Sequence, residues 1–522
     1  MFYASPCMYS YINPQEIMIK KVIQTEHFLV DYRDGASLLF LNNSLKKVDF
    51  GEQVEFLIGY STEKLIKDDY YDGEYIKLTK SGSDILIRND PYGSFPVFIW
   101  NQDESVLISN SINFLAMYSK KQISLDSSRI YEYFLIGYSI LSKTIYKDIN
   151  CLEPKSSILL SNKMSLKKIY KDSFLDSKDL NTKGTKDIID TFKHSISYKL
   201  KSVDIKKATL GLTSGHDSLL GGLALKSTNN KVDTVTMGDH NSEDIKIAKK
   251  RHDLIFKKSK HIELETSQLH VDELDYDEIS KICGGMTTLG ASSLYKMHKT
   301  LRHVHNKKYF IDCTHFEIMR KKLNRPEDFL EKYTTPNSVT DSIFVENLLI
   351  NETKLNILGS INNYYKERAL EKFYHFDRNV CGQNYKSLIM NELGGQRICL
   401  IHDQEFLRNI IESNNYDNSN PYWEVLKQLG NETGINMNDE INYLVNSTKS
   451  LAFNNNHSIY MKKDYYMELL ETDLALLLSD YFNISYLKDK IHNKNIGKNE
   501  DWFLLRIAAL LSFSKNHKIG IT

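Results

Sequence analysis

The stretch ATLGLTSGHDSLLGGLALKS, residues 208–227, decides the fold that the second part of this sequence predicts. It passes from apolar residues into the hexapeptide TSGHDS (213–218) and then into a helix-like run of small and apolar residues. A plain turn between a strand and a helix needs only one glycine or one capping residue. Four of the six residues in the hexapeptide carry side-chain oxygens. This excess favours a loop that binds a ligand.

Segments with strand-like and helix-like patterns alternate around that loop. The strand-like segments are KATLGL (207–212), VDTVTMG (232–238) and KKYFIDC (307–313). The helix-like segments are DSLLGGLAL (217–225), SEDIKIAKKRHDLI (242–255) and GASSLYKMHKTLRHV (290–304). Strands that alternate with helices predict a parallel α/β sheet. Beyond residue 325 the pattern is mostly helical and rich in Asn, Lys and Tyr.

The first third of the chain has a different pattern, with short β-branched and aromatic runs between Asp, Gly, Ser and Asn turns. These runs are FLVDY (28–32), ASLLFL (36–41), YIKLT (75–79), DILIRND (84–90) and PVFIW (96–100). A polar stretch at 171–187 is typical of a linker. Because a chain of 522 residues is too long for one typical core, we divide it into residues 1–180 and 181–522.

Composition and charge exclude several classes of protein. Lys plus Arg and Asp plus Glu both total 67, so the formal charge is zero, whereas nucleic-acid binders usually carry a basic excess. The six cysteines lie far apart with no CxxC pair, which argues against a zinc site and a disulfide framework. No apolar run approaches the roughly 18 residues of a membrane helix, and no signal peptide is evident. We expect a cytoplasmic protein with neither a nucleic-acid nor a membrane partner.

The loop at 213–218 has the composition of a phosphate-binding loop. Ligands of a parallel sheet bind at the carboxyl ends of its strands, where the following helix offers N–H groups and a partial positive charge. Gly215 and three neighbouring hydroxyls, those of Thr213, Ser214 and Ser218, supply further donors and room for a phosphate. Asp217 would repel a bare phosphate, but it suits a Mg²⁺ ion that bridges it to phosphate oxygens. The alternative is that Thr213, Ser214 and Asp217 only cap the helix.

The loop resembles the pyrophosphate-binding loop of the ATP pyrophosphatase family, usually written SGGxDS and here T-S-G-H-D-S. Thr213 replaces the first Ser of that motif, and Ser214 replaces the first Gly. Over most of its length the chain also resembles the asparagine-synthetase family, through matches that occur in the family's order. In the first part of the chain, Gly73-Glu74-Tyr75 matches the family's GxF/Y turn, and RNDPYGSFPVFIW (88–100) matches R-D-x-x-G-x-x-P-L-Y-Y. In the second part, VTMGDHNSEDIKIAKK (235–250) matches the second strand and its adenine-side loop. TTLGASSLYKMHKTLR (287–302) matches TT-RAS-P-Y-L-K-LR.

This resemblance implies an α/β fold in two parts. The first is an Ntn-hydrolase-like αββα sandwich, and the second is a parallel-sheet ATP pyrophosphatase domain with a helical C-terminal part. The resemblance also implies ATP and Mg²⁺ as cofactors. The ATP-binding residues that it implies are Leu212, Thr213, Ser214, Gly215, Asp217, Ser218, Met237 and Gly238. The Mg²⁺ ligands that it implies are Asp217, Asp312 and Glu317.

The sequence departs from the family at two places. Glutamine-using members carry a cysteine directly after the initiator methionine, because the freed α-amino group serves as the base for its thiol. Phe2 occupies this position and Cys7 is the nearest cysteine, so we expect no glutaminase activity. In this respect the chain resembles β-lactam synthetases and lasso-peptide cyclases, which use an amine already on the substrate. The family's GxGADE segment, whose acid helps to hold Mg²⁺, is DCTHFE (312–317) here, with Phe316 in place of the Asp.

The activity that the resemblance implies is amide-bond formation through an acyl-adenylate, with AMP and pyrophosphate as products. The substrate would be a carboxylate-bearing small molecule or peptide with an amine, and a homodimer is one expected assembly. Lys462 or Lys463, in a segment similar to the family's R-x-K, would stabilise developing charge. Tyr295 and Glu317 are candidates for the amide-forming half. Two alternatives stay open: a non-catalytic binding or regulatory subunit, and an RNA-modifying ATP pyrophosphatase, against which the zero net charge argues.

Overall fold

The structure is a computed structural model of the chain. It describes residues 8–10, 21–24, 27–33, 36–41, 46–47, 54–65, 71–102, 105–119, 121–161, 167–170, 184–240, 242–267, 269–319, 326–333, 341–364, 385–413, 421–437 and 462–522. Helices and strands both make up large parts of these ranges, so the fold is mixed α/β, as the sequence predicts.

Two sheets form the N-terminal part. Their strands, with one short strand (β11) outside both sheets, are β1 (Met8–Ser10), β2 (Lys21–Gln24), β3 (Phe28–Arg33), β4 (Ala36–Leu41), β5 (Lys46–Lys47), β6 (Val54–Leu65), β7 (Tyr71–Ser81), β8 (Asp84–Asn89), β9 (Phe98–Asn101), β10 (Val106–Ser109), β11 (Ile123–Leu125), β12 (Ile149–Cys151), β13 (Ser156–Leu160) and β14 (Lys167–Tyr170). The seven-stranded sheet has the order β1-β2-β6-β7-β8-β13-β14, and the six-stranded sheet has the order β12-β9-β10-β3-β4-β5. Neighbouring strands are antiparallel, apart from the parallel pair β2 and β6.

The two sheets pack face to face because alternate residues of their strands are apolar. In β8 every second side chain is buried, beginning with Ile85, which is the period of a strand with one covered face. The buried side chains shared between the sheets include Phe56, Ile58, Ile76, Leu78, Ile85 and Ile87 from the larger sheet and Phe28, Val30, Ile99 and Ile108 from the smaller one. Each such side chain contributes roughly 1.5–3 kcal/mol when fully buried.

A third sheet is entirely parallel and has five strands. They are β15 (Ala208–Gly211), β16 (Asp233–Gly238), β17 (His261–Glu265), β18 (Tyr309–Asp312) and β19 (Gln396–Cys399). Their order in the sheet is β17-β16-β15-β18-β19, so the chain moves outward from β15 on one side and then returns to its other side. The strand order therefore reverses between β15 and β18. The prediction of a parallel sheet is confirmed.

The α-helices with described bounds number sixteen. They are α1 (Ile112–Tyr118), α2 (Ser127–Ile136), α3 (Thr185–Lys201), α4 (His216–Ser227), α5 (Glu243–Phe256), α6 (Glu273–Ile282), α7 (Ser292–His303), α8 (Pro326–Tyr333), α9 (Asn347–Tyr364), α10 (Tyr385–Glu392), α11 (Gln404–Ser413), α12 (Pro421–Thr433), α13 (Lys463–Leu469), α14 (Asp473–Leu478), α15 (Ile484–His492) and α16 (Lys498–Ser514). Short 3-10 helices cover Ile205–Lys207, Leu289–Ala291 and Phe316–Met319. No helix of these ranges has the length and apolar character that a membrane-spanning segment requires.

The region beyond residue 325 is not only helical, because β19 adds a fifth strand to the parallel sheet. This strand has four residues, three of them buried, and only Ile398 and Cys399 are apolar. A segment this short has no periodicity that separates a strand from a buried helix. Most of the predicted linker at 171–187 and the boundary between 180 and 181 lie outside the described residues, and α3 begins at Thr185.

The N-terminal and C-terminal parts share one apolar core. Strand β11 pairs in parallel with β20 (Ile519–Ile521), with Ile123 opposite Ile519. The ring of Phe134 in α2 lies 4.8 Å from that of Phe482 and 5.2 Å from that of Phe503 in α16. Segments far apart in sequence are therefore packed together around the helices at the end of the chain.

Candidate functional site

The loop at 213–218 lies at the carboxyl end of β15 and leads directly into α4. Leu212 continues the sheet for one residue, since its N–H donates to the carbonyl of Val235 at 2.9 Å. The strand order reverses beside β15, and open parallel sheets bind ligands in the crevice at such a point. The predicted binding loop therefore occupies the position in this sheet that best suits a ligand.

The hydroxyls of the loop shape its backbone. The N–H of Thr213 donates to Ser218 Oγ at 3.0 Å, and the N–H of Gly215 donates to Thr213 Oγ1 at 3.1 Å. Gly215 is the N-cap of α4, and no side chain caps that helix. Thr213 and Ser218 thus organise the turn before α4, and Gly215 as N-cap has no side chain that could cap the helix.

Arg251 of α5 fixes the orientation of the loop peptides. Its side chain is 1% exposed, and Nη1 donates to the carbonyls of Thr213 and Gly215, both at 2.9 Å. In a trans peptide the C=O and the next N–H point in opposite directions, so the N–H groups of Ser214 and His216 are turned away from Arg251. The N–H of Ser214 donates to the carboxylate Oδ1 of Asp244. An anionic oxygen thus already occupies one of the loop donors.

Two aromatic residues of α12 flank the loop. The buried Tyr422 donates its hydroxyl to Asp217 Oδ1 at 2.9 Å, and the ring of Trp423 meets that of His216 edge to face with centroids 4.8 Å apart. Asp217 itself is half-buried. Its carboxylate is therefore held in one orientation at the mouth of the loop.

Met237 and Gly238 end the neighbouring strand β16, at the same edge of the sheet as the loop. Met237 is half-buried and Gly238 is buried. A Cβ atom on Gly238 would come within 3.0 Å of Ser242 Oγ, so the chain passes close to the start of α5 at this point. The structure thus brings the two predicted groups of ATP-binding residues to one edge.

Asp312 ends β18, the other neighbour of β15. Its carboxylate accepts from Arg397 Nε at 2.7 Å and from the N–H and hydroxyl of Thr314 at 2.9 and 2.8 Å. Burial opposes ionisation of this group, but Lys386 and Arg397 hold the pKa of Asp312 well below its usual range. These contacts give Asp312 a structural role as the acidic half of a buried ion pair.

Phe316, at the position where the family carries an acid, is a core residue. Its side chain is fully buried, and its ring meets that of Phe192 edge to face with centroids 5.5 Å apart. The backbone of Glu317 lies in the same 3-10 helix, and its side chain is outside the described part of the structure. Position 316 therefore serves the apolar core and offers no carboxylate.

The predicted catalytic residues lie on other elements. Lys462 is the N-cap of α13, and Lys463 Nζ lies 3.2 Å from His492 Nδ1 in α15. Tyr295 in α7 is buried, which raises the pKa of its hydroxyl, and the Lys299 ammonium lies 5.3 Å from the centre of its ring. The contacts described for α13 include α6, α15 and α16, whereas those of the loop are with α5 and α12. None of the contacts described for these residues links them to the loop at 213–218.

A pocket of about 750 Å³, a volume that includes its open mouth, lies between the sandwich and the helices. Its lining is mostly apolar and aromatic, with Phe95, Tyr133 and Leu388 from three different elements, and Lys143 is the one cation among the lining residues. No residue of the 213–218 loop lines it. Because a polyphosphate needs several donors, the pocket suits an apolar group, and the loop suits a nucleotide better.

Sequence patterns did not single out Arg251 or Tyr422. Both act on the loop from distant positions, and an arginine or an aromatic residue on an amphipathic helix carries no local signal of such a role. No protein-family model matches this sequence, and no curated protein matches it. Membership of the asparagine-synthetase family therefore stays a prediction that the geometry of the loop must support.

Proposed function

We propose that the chain is an ATP-dependent ligase that forms an amide bond through an acyl-adenylate, with an architecture of the asparagine-synthetase type. The observation that carries the proposal is the position of loop 213–218 at the reversal of strand order in the parallel sheet. The strand order supports an ATP pyrophosphatase-like domain. The two facing sheets of the N-terminal part support an Ntn-hydrolase-like sandwich.

The loop fits the phosphates of ATP in three respects. Gly215 leaves room for close approach, α4 begins without a capping side chain, and Arg251 turns the N–H groups of Ser214 and His216 outward. The carboxylate of Asp244, already bonded to one of these donors, stands in for a phosphate oxygen. When ATP is bound, it supplies an α-phosphate that a substrate carboxylate can attack, with pyrophosphate as the leaving group.

Asp217 is the residue that we propose for Mg²⁺. It lies in the first turn of α4, and the Tyr422 hydroxyl orients its Oδ1. Asp312 is committed to Arg397, and position 316 is apolar, so the protein offers fewer carboxylates than the family motif implies. One protein carboxylate is compatible with Mg²⁺, because phosphates and water complete its octahedron. The ion would neutralise charge on the phosphates during the attack.

The amide-forming half needs an amine close to the activated carboxyl group. We propose a carboxylate-bearing small molecule or peptide that carries its own amine, since an intramolecular nucleophile has an effective concentration far above that of free ammonia. Lys462, Lys463, Tyr295 and Glu317 stay candidates for this half.

The experiment is acid-dependent ATP–pyrophosphate exchange, screened over amino acids, peptides and other small carboxylic acids. Asp217→Ala should abolish the exchange signal and leave the fold intact, because it removes the proposed metal ligand. Asp473→Ala, which removes an exposed acid from the first turn of α14, is the matched control and should exchange normally. Normal exchange in a folded Asp217→Ala protein would exclude this site.

A non-catalytic subunit is the second candidate, and a specific observation favours it. Phe316 fills the acid position with core packing, so the family's second metal ligand is absent from that place. Such a protein would gain thermal stability from Mg²⁺ and ATP through the loop, yet would support no exchange with any acid. Measuring both quantities on one preparation distinguishes the two candidates.

A further inference from the structure

A second cluster of metal-binding side chains lies at the carboxyl ends of β18 and β19. It consists of His315, Cys399 and His402, which are 3%, 0% and 0% exposed. One ligand atom from each, the two ring nitrogens and the thiol sulfur, lie within 4.8 Å of one another. Three soft or borderline donors this close together, sealed from water, form an arrangement typical of a structural metal site.

A carboxylate from the sandwich lies beside the cluster. Glu74 of β7 is 1% exposed, and its Oε1 lies 3.6 Å from His402 Nδ1 and accepts from the Cys399 N–H at 2.6 Å. A carboxylate next to one ring nitrogen of a metal-binding histidine orients the imidazole and directs the other nitrogen to the metal. Within the part of the chain that the structure describes, Glu74 Oε2 has no hydrogen-bond partner. A buried carboxylate oxygen of this kind is costly unless a cation meets it.

The surroundings also favour convergence on one ion. His315 has a φ of +78°, in the left-handed region that residues with a side chain rarely adopt. Arg397 Nη2 lies 3.0 Å from His315 Nε2, so the guanidinium fixes the orientation of this imidazole. The charge of Arg397 is balanced by Asp312 at 2.7 Å, so the guanidinium does not oppose a cation as a bare charge would.

We propose that His315, Cys399 and His402 hold one zinc ion between the sandwich and the parallel sheet, with Glu74 orienting the His402 imidazole. Binding replaces the thiol proton of Cys399, which is released to solvent, with a Zn–S bond. Two imidazoles and a thiolate suit Zn²⁺, whereas Mg²⁺ prefers oxygen ligands alone. The zinc site is therefore separate from the proposed Mg²⁺ at Asp217 and does not depend on the proposed function.

The test is the zinc content of the full chain, purified without chelators or metal-affinity tags and measured by elemental mass spectrometry. We expect about one zinc per chain, and a loss of about tenfold or more in Cys399→Ser and in His402→Ala. Cys283→Ser removes an equally buried cysteine that belongs to an apolar cluster, and this control should keep its zinc. A wild-type protein without zinc, even after refolding with added Zn²⁺, would overturn the proposal.

A second probe keeps the proposal testable if those two variants do not fold. Refolding with Co²⁺ in place of Zn²⁺ should give the near-ultraviolet absorption of a cobalt–thiolate bond, and Cys283→Ser should give the same band. Glu74→Gln keeps the size of the side chain and should lower zinc affinity about tenfold or more in competition with a chelating dye. A wild-type spectrum without the thiolate band, or an unchanged affinity in Glu74→Gln, would contradict the proposal.

Discussion

Two neighbouring strands of the parallel sheet, β15 and β18, end in loops of opposite character. After β15, Thr213 and Gly215 are exposed, Asp217 is half-buried, and α4 has no capping side chain. After β18, Asp312 is buried in an ion pair and Phe316 is buried in the core. An acid at the carboxyl end of a strand can therefore bind a ligand or stabilise the fold. Burial and an ion pair with a cation mark the acid that stabilises the fold.

The largest expected effect is the difference in stability between Asp312→Ala and Asp217→Ala. Asp312→Ala leaves the buried guanidinium of Arg397 without its partner, which should lower the free energy of unfolding by about 3–5 kcal/mol. Asp217→Ala removes a half-buried carboxylate and should cost about 1 kcal/mol. Denaturant unfolding of both variants measures the difference.

A second substitution sharpens this result. Arg397→Met in the Asp312→Ala background should recover part of the lost stability, because replacing a buried pair costs less than breaking it. Equal losses for Asp312→Ala and Asp217→Ala would remove the distinction between the two loops.

The next largest effect concerns Arg251, which holds the backbone of the loop at 213–218. Arg251→Met keeps much of the side-chain volume but removes two hydrogen bonds from a charged donor, so we expect a loss of about 3 kcal/mol. It should also remove the thermal stabilisation that Mg²⁺ and ATP give. Lys250→Met, at the exposed neighbouring position of α5, should change neither quantity. Stabilisation by ATP in Arg251→Met equal to that of the wild type would show that the loop holds its shape without this residue.

The next prediction concerns how stability depends on pH through Asp90, a buried acid of the sandwich. Burial, followed by the charge of Glu74, raises the pKa of Asp90 to about 7. The folded protein then keeps a proton that the unfolded chain, with a pKa of about 3.9, releases. Stability is therefore highest at low pH with respect to this group and falls by up to about 1.4 kcal/mol per pH unit as the pH rises towards 7.

Denaturant unfolding between about pH 5.5 and about pH 8 should thus show a loss of about 2 kcal/mol, with no further change from this group above that range. Asp90→Asn removes the titrating group, and its stability should depend less on pH by that amount. The same slope in the variant and the wild type would assign the effect to another group.

The smallest expected effect tests how Asp217 is held. Tyr422→Phe removes one hydrogen bond and should cost about 1 kcal/mol of stability. It should also weaken the stabilisation by Mg²⁺ and ATP, because Oδ1 loses its orienting donor. Tyr465→Phe removes a hydroxyl that donates to Asp277 at the same distance of 2.9 Å, elsewhere in the fold. Loss of the ATP response in both variants would indicate a general effect of stability.

The sheet and its first loop were predictable because their signals are local. Strands at 208–211, 233–238 and 309–312 carry apolar runs bounded by helical patterns, and the TSGHDS loop is a contiguous motif. Strand β19 was missed because four residues are too few to show a period.

The supports of the loop were not predictable, because they depend on contacts between distant positions. Tyr422 and Asp217 are 205 positions apart, and nothing near either residue indicates the other. Phe316 was recognised as a departure from the family motif, but its place in the core follows from Phe192 on a helix that precedes the sheet. Sequence order alone does not provide such pairs.

The cysteines illustrate the same limit of prediction from sequence. Widely separated cysteines argued against a zinc site, since the usual sequence signal is a pair with short spacing. The zinc site proposed above uses a single cysteine, and of His315, Cys399 and His402 only the last two are near each other in sequence. A proposed site of this kind has no local spacing to detect.

The pairing of β11 with β20 has a consequence for how the protein is made. Ribosomes add about 5–20 residues per second, so Ile123–Leu125 waits on the order of half a minute to a minute before Ile519–Ile521 is synthesised. Throughout that interval the nascent chain carries a strand edge that lacks its partner. The protein therefore completes its fold only after translation has passed residue 521, and a truncated chain released earlier would expose that edge to other nascent chains.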